Sequence, residues 1–470
     1  MKAIRLQLAR RVYKELFDGP LPVVSSTDRS RLRKIVDRLD GDLQTRNYMP
    51  SVIHGYFGVE KSYGVTRFLP ILTGEDLLVY YHLCRTVADG VLLTRPGIFG
   101  GWRSVPKSQS IEEIRKFLQE EGLAELSAGS YMRASLGSSV WWQEFRKFTT
   151  LIDDLTKSTE FGNYVIQTDI SNFYDSIEVP ILTRRLRRES TVEEDVIEAL
   201  EAFLGSWNRR TLGYGLSTKG IPQEILSDAS RVLSHYYLQR FDRAMVNYCV
   251  ARNLRFTRWA DDILVFGPSE KMLIESVHHA SRQLLREGLN LNSGKTRVFT
   301  RRDFQRYRAI AFLNYVDKRD RGGMLRELRS LNPVGKVVPH RADTVFRALL
   351  GFTGRFPSKV GSEERAHFLN VARSSPEIVR SLNGKQMAQF VLVADDPRSA
   401  FNMLLKIVLG APYAAPRAAF LQMIRDFSGR LLGSGVAKTS LTRAVSAIET
   451  DDGDSELLHR FAIPRARSAV

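Results

Sequence analysis

Residues 258–266 read Arg258-Trp259-Ala260-Asp261-Asp262-Ile263-Leu264-Val265-Phe266. Two adjacent carboxylates run straight into a segment fit only for a buried strand. Like charges held at the mouth of an apolar hairpin repel each other unless cations neutralise them. Divalent metals do so, and a pair of them can clamp both oxygens of an in-line phosphoryl displacement. The dipeptide alone decides nothing, because Asp153-Asp154, Asp395-Asp396 and Asp451-Asp452 also occur. Its neighbours in the chain decide.

Upstream, Asn163-Tyr164-Val165-Ile166-Gln167-Thr168-Asp169-Ile170 is a β-rich run ending on a carboxylate. It passes into Ser171-Asn172-Phe173-Tyr174-Asp175, where Ser and Asn signal a turn or helix start. Asp169 is therefore expected at a strand's C-terminal end, facing a cleft. Gly220-Ile221-Pro222-Gln223 is a turn with φ fixed at Pro222. One helix is expected after it, with apolar positions Leu226, Ala229, Leu233, Tyr237, Phe241 and Ala244. Beyond the paired aspartates come the loop Gly288-Leu289-Asn290-Leu291-Asn292-Ser293-Gly294-Lys295-Thr296 and the block Phe312-Leu313-Asn314-Tyr315.

In this order the segments resemble the palm of reverse transcriptases. The strand ending on Asp169 looks like motif A, the Gly-x-Pro-Gln turn like motif B, and the x-Ala-Asp-Asp hairpin like motif C. The lysine-bearing loop looks like motif D, and Phe312 to Tyr315 like motif E, the primer grip. Lys61-Ser62-Tyr63-Gly64-Val65-Thr66-Arg67-Phe68-Leu69-Pro70-Ile71 is similar to the fingers hairpin that holds a nucleotide triphosphate. The resemblance covers roughly residues 55–320. It implies an α+β right-hand polymerase, with fingers, a palm built on an antiparallel sheet, and a thumb, followed by an all-helical C-terminal region. The implied divisions are an N-terminal helical extension at 1–50, fingers at 51–160 and 178–219, palm at 161–177 and 220–318, and thumb plus helical domain at 319–470.

The implied site is a two-metal one, using magnesium with manganese as a substitute. Asp169, Asp261 and Asp262 are its catalytic carboxylates, and Ile170 joins them in the metal-binding set. Tyr174 would lie beneath the sugar and exclude a 2′-hydroxyl, with Phe173 as its buried neighbour. Lys61, Arg67, Gln223 and Lys295 would meet the nucleotide, the cations at its phosphates. Trp259, Phe312 and Leu313 would handle primer or template. Glu224 departs from the pattern: the family usually has a small residue there, and a glutamate sets negative charge beside a phosphate track.

Composition agrees. Lys plus Arg is 69 against 52 for Asp plus Glu, a net charge of +17, which suits a chain that neutralises nucleic-acid phosphates. With only Cys84 and Cys249, neither a disulfide framework nor a zinc knuckle is available. No uncharged apolar run reaches the roughly 18 residues of a membrane span, so a cytoplasmic bacterial protein is expected. Ala394-Asp395-Asp396-Pro397 copies the catalytic triplet, but Pro397 at a first helical position makes Asp396 a helix cap. The Gly- and Pro-rich stretch 95–101 reads as a loop without a dinucleotide fingerprint. The C-terminal half reads as helices at 342–352, 362–374, 385–394, 398–409, 415–432, 436–449 and 455–461, after a break at Arg319 to Gly323.

A polymerase core with helical mass behind it, and without RNase H, integrase or the segments that mark retron and intron enzymes, resembles the abortive-infection and defence-associated reverse transcriptases of bacteria. The expected partners are dNTPs, a non-coding RNA template and a DNA product, and a partner protein or further copies of the chain. Two alternatives stay open: a template-independent or protein-guided nucleotidyltransferase on the same palm, and an inactive palm acting as a nucleic-acid-binding assembly subunit.

Overall fold

The computed structural model describes the chain except residues 1, 63–64, 92–96, 101–137, 208–217, 224–227, 332–341, 360 and 451–455. Glu224 and the expected helix position Leu226 lie outside the described residues, as does the side chain of Lys61. The chain divides into two compact units. The first comprises 1–14, 27–53 and 72–304; the second comprises 15–26, 54–71 and 305–470.

The first unit is built on a small sheet. The strands among the described residues are β1 (Tyr56–Ser62), β2 (Val65–Pro70), β3 (Ile98–Phe99), β4 (Tyr164–Asp169), β5 (Arg255–Trp259), β6 (Asp262–Gly267) and β7 (Arg297–Thr300). The last five form one sheet in the order β3-β5-β6-β4-β7, antiparallel except for the β3–β5 pair. From Ile263 to Phe266 every residue of β6 is at most 1% exposed, so this strand is buried on both faces. That explains why it reads as a continuous apolar run and not as an alternation. The Gln239–Val250 helix packs on β5, and the Glu270–Leu285 helix on β4 and β6. Phe241 meets Phe256 edge-on at 6.0 Å between ring centroids, and Phe266 meets Phe304 at 6.1 Å. Each such fully buried side chain contributes roughly 1.5–3 kcal/mol.

Helices complete this unit. Gly74–Gly90 packs against Glu194–Ser206 and Asp228–Tyr237. Tyr80 stacks on Phe203 at 4.8 Å and shares a 2.8 Å hydrogen bond with Ser230. The buried Asp76 accepts from Tyr48, Thr73 and the Ser51 amide, so its carboxylate is satisfied within the fold. The single helix expected after Pro222 is in fact two, Asp228–Tyr237 and Gln239–Val250. Arg185 takes the Tyr237 carbonyl at 3.0 Å, which draws that oxygen to a side chain at the point where the helices separate.

Among its described residues, the regular structure of the second unit is helical apart from the antiparallel β1–β2 hairpin. Its central helix, Ala415–Gly433, packs against Gly384–Val393, Pro397–Leu409, Lys438–Glu449, Ile463–Ser468 and β1. Arg417 is 2% exposed and satisfies carbonyls of Ala411 and Tyr413 at 2.8 and 3.1 Å. The expected break at Arg319 to Gly323 is narrower than the glycines suggest. Arg319 ends the Ile310–Lys318 helix in the left-handed region, with φ 59°. Asp320 accepts from the Gly323 amide at 2.9 Å, and the next helix, Arg321–Leu331, already contains both glycines. Among the described residues no helix is long and apolar enough to cross a membrane, and both cysteines are free and buried. The chain is thus mostly helical with a small sheet, as a polymerase palm with a helical C-terminal region requires.

Candidate active site

Strand register brings the acidic residues together. Asp169, the last residue of β4, lies directly opposite Asp262, the first of β6. Trp259 pairs with Asp262 across the β5–β6 hairpin, leaving Ala260 and Asp261 as its two-residue loop. Ala260 has φ 51°, the left-handed conformation that short hairpin loops demand and that a non-glycine residue adopts at a cost. The Ile170 amide donates to the Asp261 carbonyl at 3.3 Å, tying the end of β4 to this loop. Burial, then the charges of Asp169 and Asp262, and a hydrogen bond with Asp169 push the Asp261 carboxyl up to about 7. A proton is thus held where acidic side chains crowd without a cation.

The loop is braced from behind by groups that the sequence reading passed over. Arg258, fully buried, makes a two-pronged ion pair with Asp242, each contact 2.6 Å, and donates to the Ala260 carbonyl at 2.7 Å. Gly100 approaches the same loop so closely that a Cβ would stand 2.6 Å from the Ala260 nitrogen, and its φ is +84°. The Phe99 carbonyl accepts from the Ala260 amide at 3.0 Å. The glycine-rich stretch was therefore visible, but its role as a cradle for the acidic loop was not. Trp259 stands among Phe145 and Phe148, at 5.2 and 5.5 Å.

The lysine loop docks on the end of β4. Asn292 donates to the Asp169 carbonyl at 2.7 Å, Ser171 to the Asn290 carbonyl at 2.8 Å, and Thr168 meets Thr296 at 2.7 Å. This places Lys295 Nζ 2.6 Å from the Asp169 carboxylate. The lysine expected at the phosphates thus faces the Asp169 carboxylate. Tyr174 sits on the short Phe173–Ser176 helix beside the buried Phe173, at 5.6 Å. The Ile221 amide donates to the Tyr174 carbonyl at 3.0 Å, which joins the Gly-x-Pro-Gln turn, and with it Gln223, to the Tyr174 segment.

Four expected residues lie in the second unit, Lys61 on β1 among them. Arg67 is exposed on β2. Phe312 and Leu313 lie on the Ile310–Lys318 helix, where the Phe312 side chain is fully buried.

Among the described residues no three Asp, Glu, His or Cys side chains close on one point as they would around a caged metal. Magnesium does not require that, since it keeps several waters and takes one or two carboxylates together with substrate oxygens. Asp169 and Asp261, already in hydrogen-bond contact, fit such an ion, with Asp262 adding charge beside them.

Residues 111–332 match the family described as reverse transcriptase (RNA-dependent DNA polymerase). The chain carries a reverse-transcriptase domain. Its curated relatives include the retron Ec83 reverse transcriptase of Escherichia coli, 25% identical over 134 residues, or 28% of this chain and 41% of that protein. The match therefore spans well under half of the relative's length. Similar solved structures include a telomerase of Candida tropicalis with a fragment of telomeric RNA (13% identity, 95% of this chain and 70% of that chain, TM-score 0.32). Another is an apo form truncated from its C-terminal domain (13%, 58% and 55%, TM-score 0.29). TM-scores at this level do not establish a shared fold.

Proposed function

We propose that this chain is an RNA-directed DNA polymerase that adds dNTPs to a 3′-hydroxyl. The observation that carries this reading is the crowding of Asp169, Asp261 and Asp262 at adjoining strand ends, where one carboxyl is pushed up to about 7 by burial and by its acidic neighbours. Two magnesium ions there would lower the attacking hydroxyl's pKa and offset charge on the leaving pyrophosphate. Asp169 and Asp261 would hold them, with Ile170 and Asp262 supporting. Tyr174 would close the sugar pocket against a 2′-hydroxyl, and Gln223 would contact the incoming nucleotide. Lys295, held at Asp169, would protonate the leaving pyrophosphate or bind it. Lys61 and Arg67 are assigned to the triphosphate, and Trp259 to the floor under the primer.

In this reading 51–160 and 178–219 act as fingers, 161–177 and 220–318 as palm, and 319–470 as thumb and helical domain, behind an extension at 1–50. The template is a non-coding RNA, and the setting is antiphage defence in a bacterial cytoplasm. Support for that setting is the polymerase-plus-helices architecture read from the sequence. The test is magnesium-dependent dNTP incorporation on a primed RNA by wild type and by Asp261→Asn. Equal rates would remove the palm assignment.

Glu224 favours a second reading, a nucleotidyltransferase that restricts or dispenses with a template. Coulomb repulsion opposes phosphate approach to an unpaired carboxylate, less so at high salt. On that reading Glu224→Gly increases extension on added RNA and broadens the product sequence. Unchanged products would leave ordinary templated copying.

A further inference from the structure

Away from the acidic strand ends, the first unit holds a cavity of 420 Å³, formed by residues 2–14, Thr27 and the 82–89 part of the Gly74–Gly90 helix. Lys2, Arg5, Arg10, Arg11, Lys14 and Arg85 line it, against a single acid, Asp89. Asp89 stands 3.9 Å from Arg85. Cations gathered around one concavity repel each other and concentrate anions from solution. Charge that served only solubility would be interspersed with the opposite sign. The volume falls in the range of small-molecule sites.

One lining residue is unlike the others. His82 is 5% exposed, and its Nε2 is buried with no hydrogen-bond partner. The Lys2 backbone holds the ring by a hydrogen bond that favours the protonated form, so the ring's other nitrogen donates to a carbonyl. Burial, with the charge of Arg5, pushes the imidazole down to about 4 and keeps it neutral. A neutral ring that donates through Nδ1 presents a lone pair at Nε2. A buried acceptor among cations awaits a hydroxyl, not another anion.

We propose that this cavity binds a nucleoside polyphosphate, with its phosphate chain among the arginines and lysines and a sugar hydroxyl donated to His82 Nε2. Phosphates come from nucleotides, from inorganic polyphosphate and from nucleic acid, and the three differ in what they ask of the site. A polymer's evenly spaced phosphates call for a row of cations along a surface. Inorganic polyphosphate offers nothing to the histidine. A nucleotide uses both features.

The experiment takes the full chain carrying Asp261→Asn, in EDTA, so that the acidic site holds no cation for a triphosphate. ATP, inorganic tripolyphosphate and a short single-stranded oligonucleotide are titrated by calorimetry. The expected result is one ATP per chain, displaced by tripolyphosphate. Arg5→Gln with Arg10→Gln, both at exposed positions, weakens each ligand by about tenfold or more. His82→Phe weakens ATP and leaves tripolyphosphate unchanged. A thermal melt checks that the variants fold, and if His82→Phe does not, the arginine pair still decides. Absence of ATP binding, binding that survives the arginine changes, or an oligonucleotide that tripolyphosphate cannot displace would each overturn the proposal. Equal loss of ATP and tripolyphosphate with a folded His82→Phe would overturn the sugar contact.

Discussion

Ala260-Asp261-Asp262 and Ala394-Asp395-Asp396 are the same tripeptide in two regions of one chain. In the helical unit both carboxylates find protein partners. Asp396 caps the Pro397–Leu409 helix by accepting from the Ser399 amide at 3.1 Å, and Asp395 pairs with Arg365. In the sheet the pair is set against more acid: Asp262 faces Asp169 across the strands, and Asp261 is held up to about 7. The first arrangement uses acids to stabilise a helix. The second crowds three acids together, with Lys295 on Asp169.

The largest effect should come from the sheet. Asp261→Asn removes a carboxylate worth several kcal/mol of transition-state stabilisation, so incorporation should fall by about a thousandfold or more. Asp395→Asn, measured beside it, should leave the rate unchanged. If the second variant loses catalysis while still folded, the two triplets have been assigned the wrong way round.

Breaking the brace behind the acidic loop is the next largest change. Asp242→Asn leaves Arg258 buried without its counter-charge, a loss of roughly 3–5 kcal/mol. Denaturant unfolding should show it, with a steep drop in activity as the Ala260 carbonyl loses its fixed donor. Unfolding at the wild-type midpoint would mean that the ion pair is not what holds the loop.

A proton titration sharpens the contrast from another side. The Asp261 carboxyl, raised from 3.8 to about 7, binds a proton in the folded metal-free chain that the unfolded chain releases. Its contribution is fully present below the unfolded value and is lost as pH rises through about 7. Magnesium competes with that proton, so it should raise the melting temperature more at about pH 8 than at about pH 5. Equal shifts at both would show that these acids do not share a site.

Tyr174→Ala bears on the pocket alone. If the ring excludes a 2′-hydroxyl, the ratio of dNTP to rNTP incorporation should fall by about tenfold or more, at unchanged stability to within about 1 kcal/mol. An unchanged ratio makes Tyr174 a packing residue. The smallest effect belongs to Asp396→Ala, which should lose a cap of about 1 kcal/mol and no polymerase activity. A larger loss of stability would give the second triplet more than a capping role.

Local chemistry made much of this legible. The β-rich run ending on Asp169 is β4, the apolar run after Asp262 is β6, and Pro397 at the start of a helix announced the Asp396 cap. The C-terminal helices also fall within a few residues of where periodicity put them. These signals lie within a few residues of one another, and desolvation of an apolar face or the satisfaction of end amides depends on little else.

Where the chain meets itself from afar, sequence was silent. Only tertiary structure placed Asp262 opposite Asp169, set Lys295 on Asp169, fitted Gly100 beneath Ala260 and ran the Arg258–Asp242 pair under the loop. It also buried Phe312 and split the helix at Tyr237. Register is a choice among strand pairings that share one hydrophobic pattern, and a buried ion pair needs partners supplied by different elements. The acids were therefore readable as residues, but their mutual proximity, and the raised Asp261 carboxyl that follows from it, came into being only when the strands closed together.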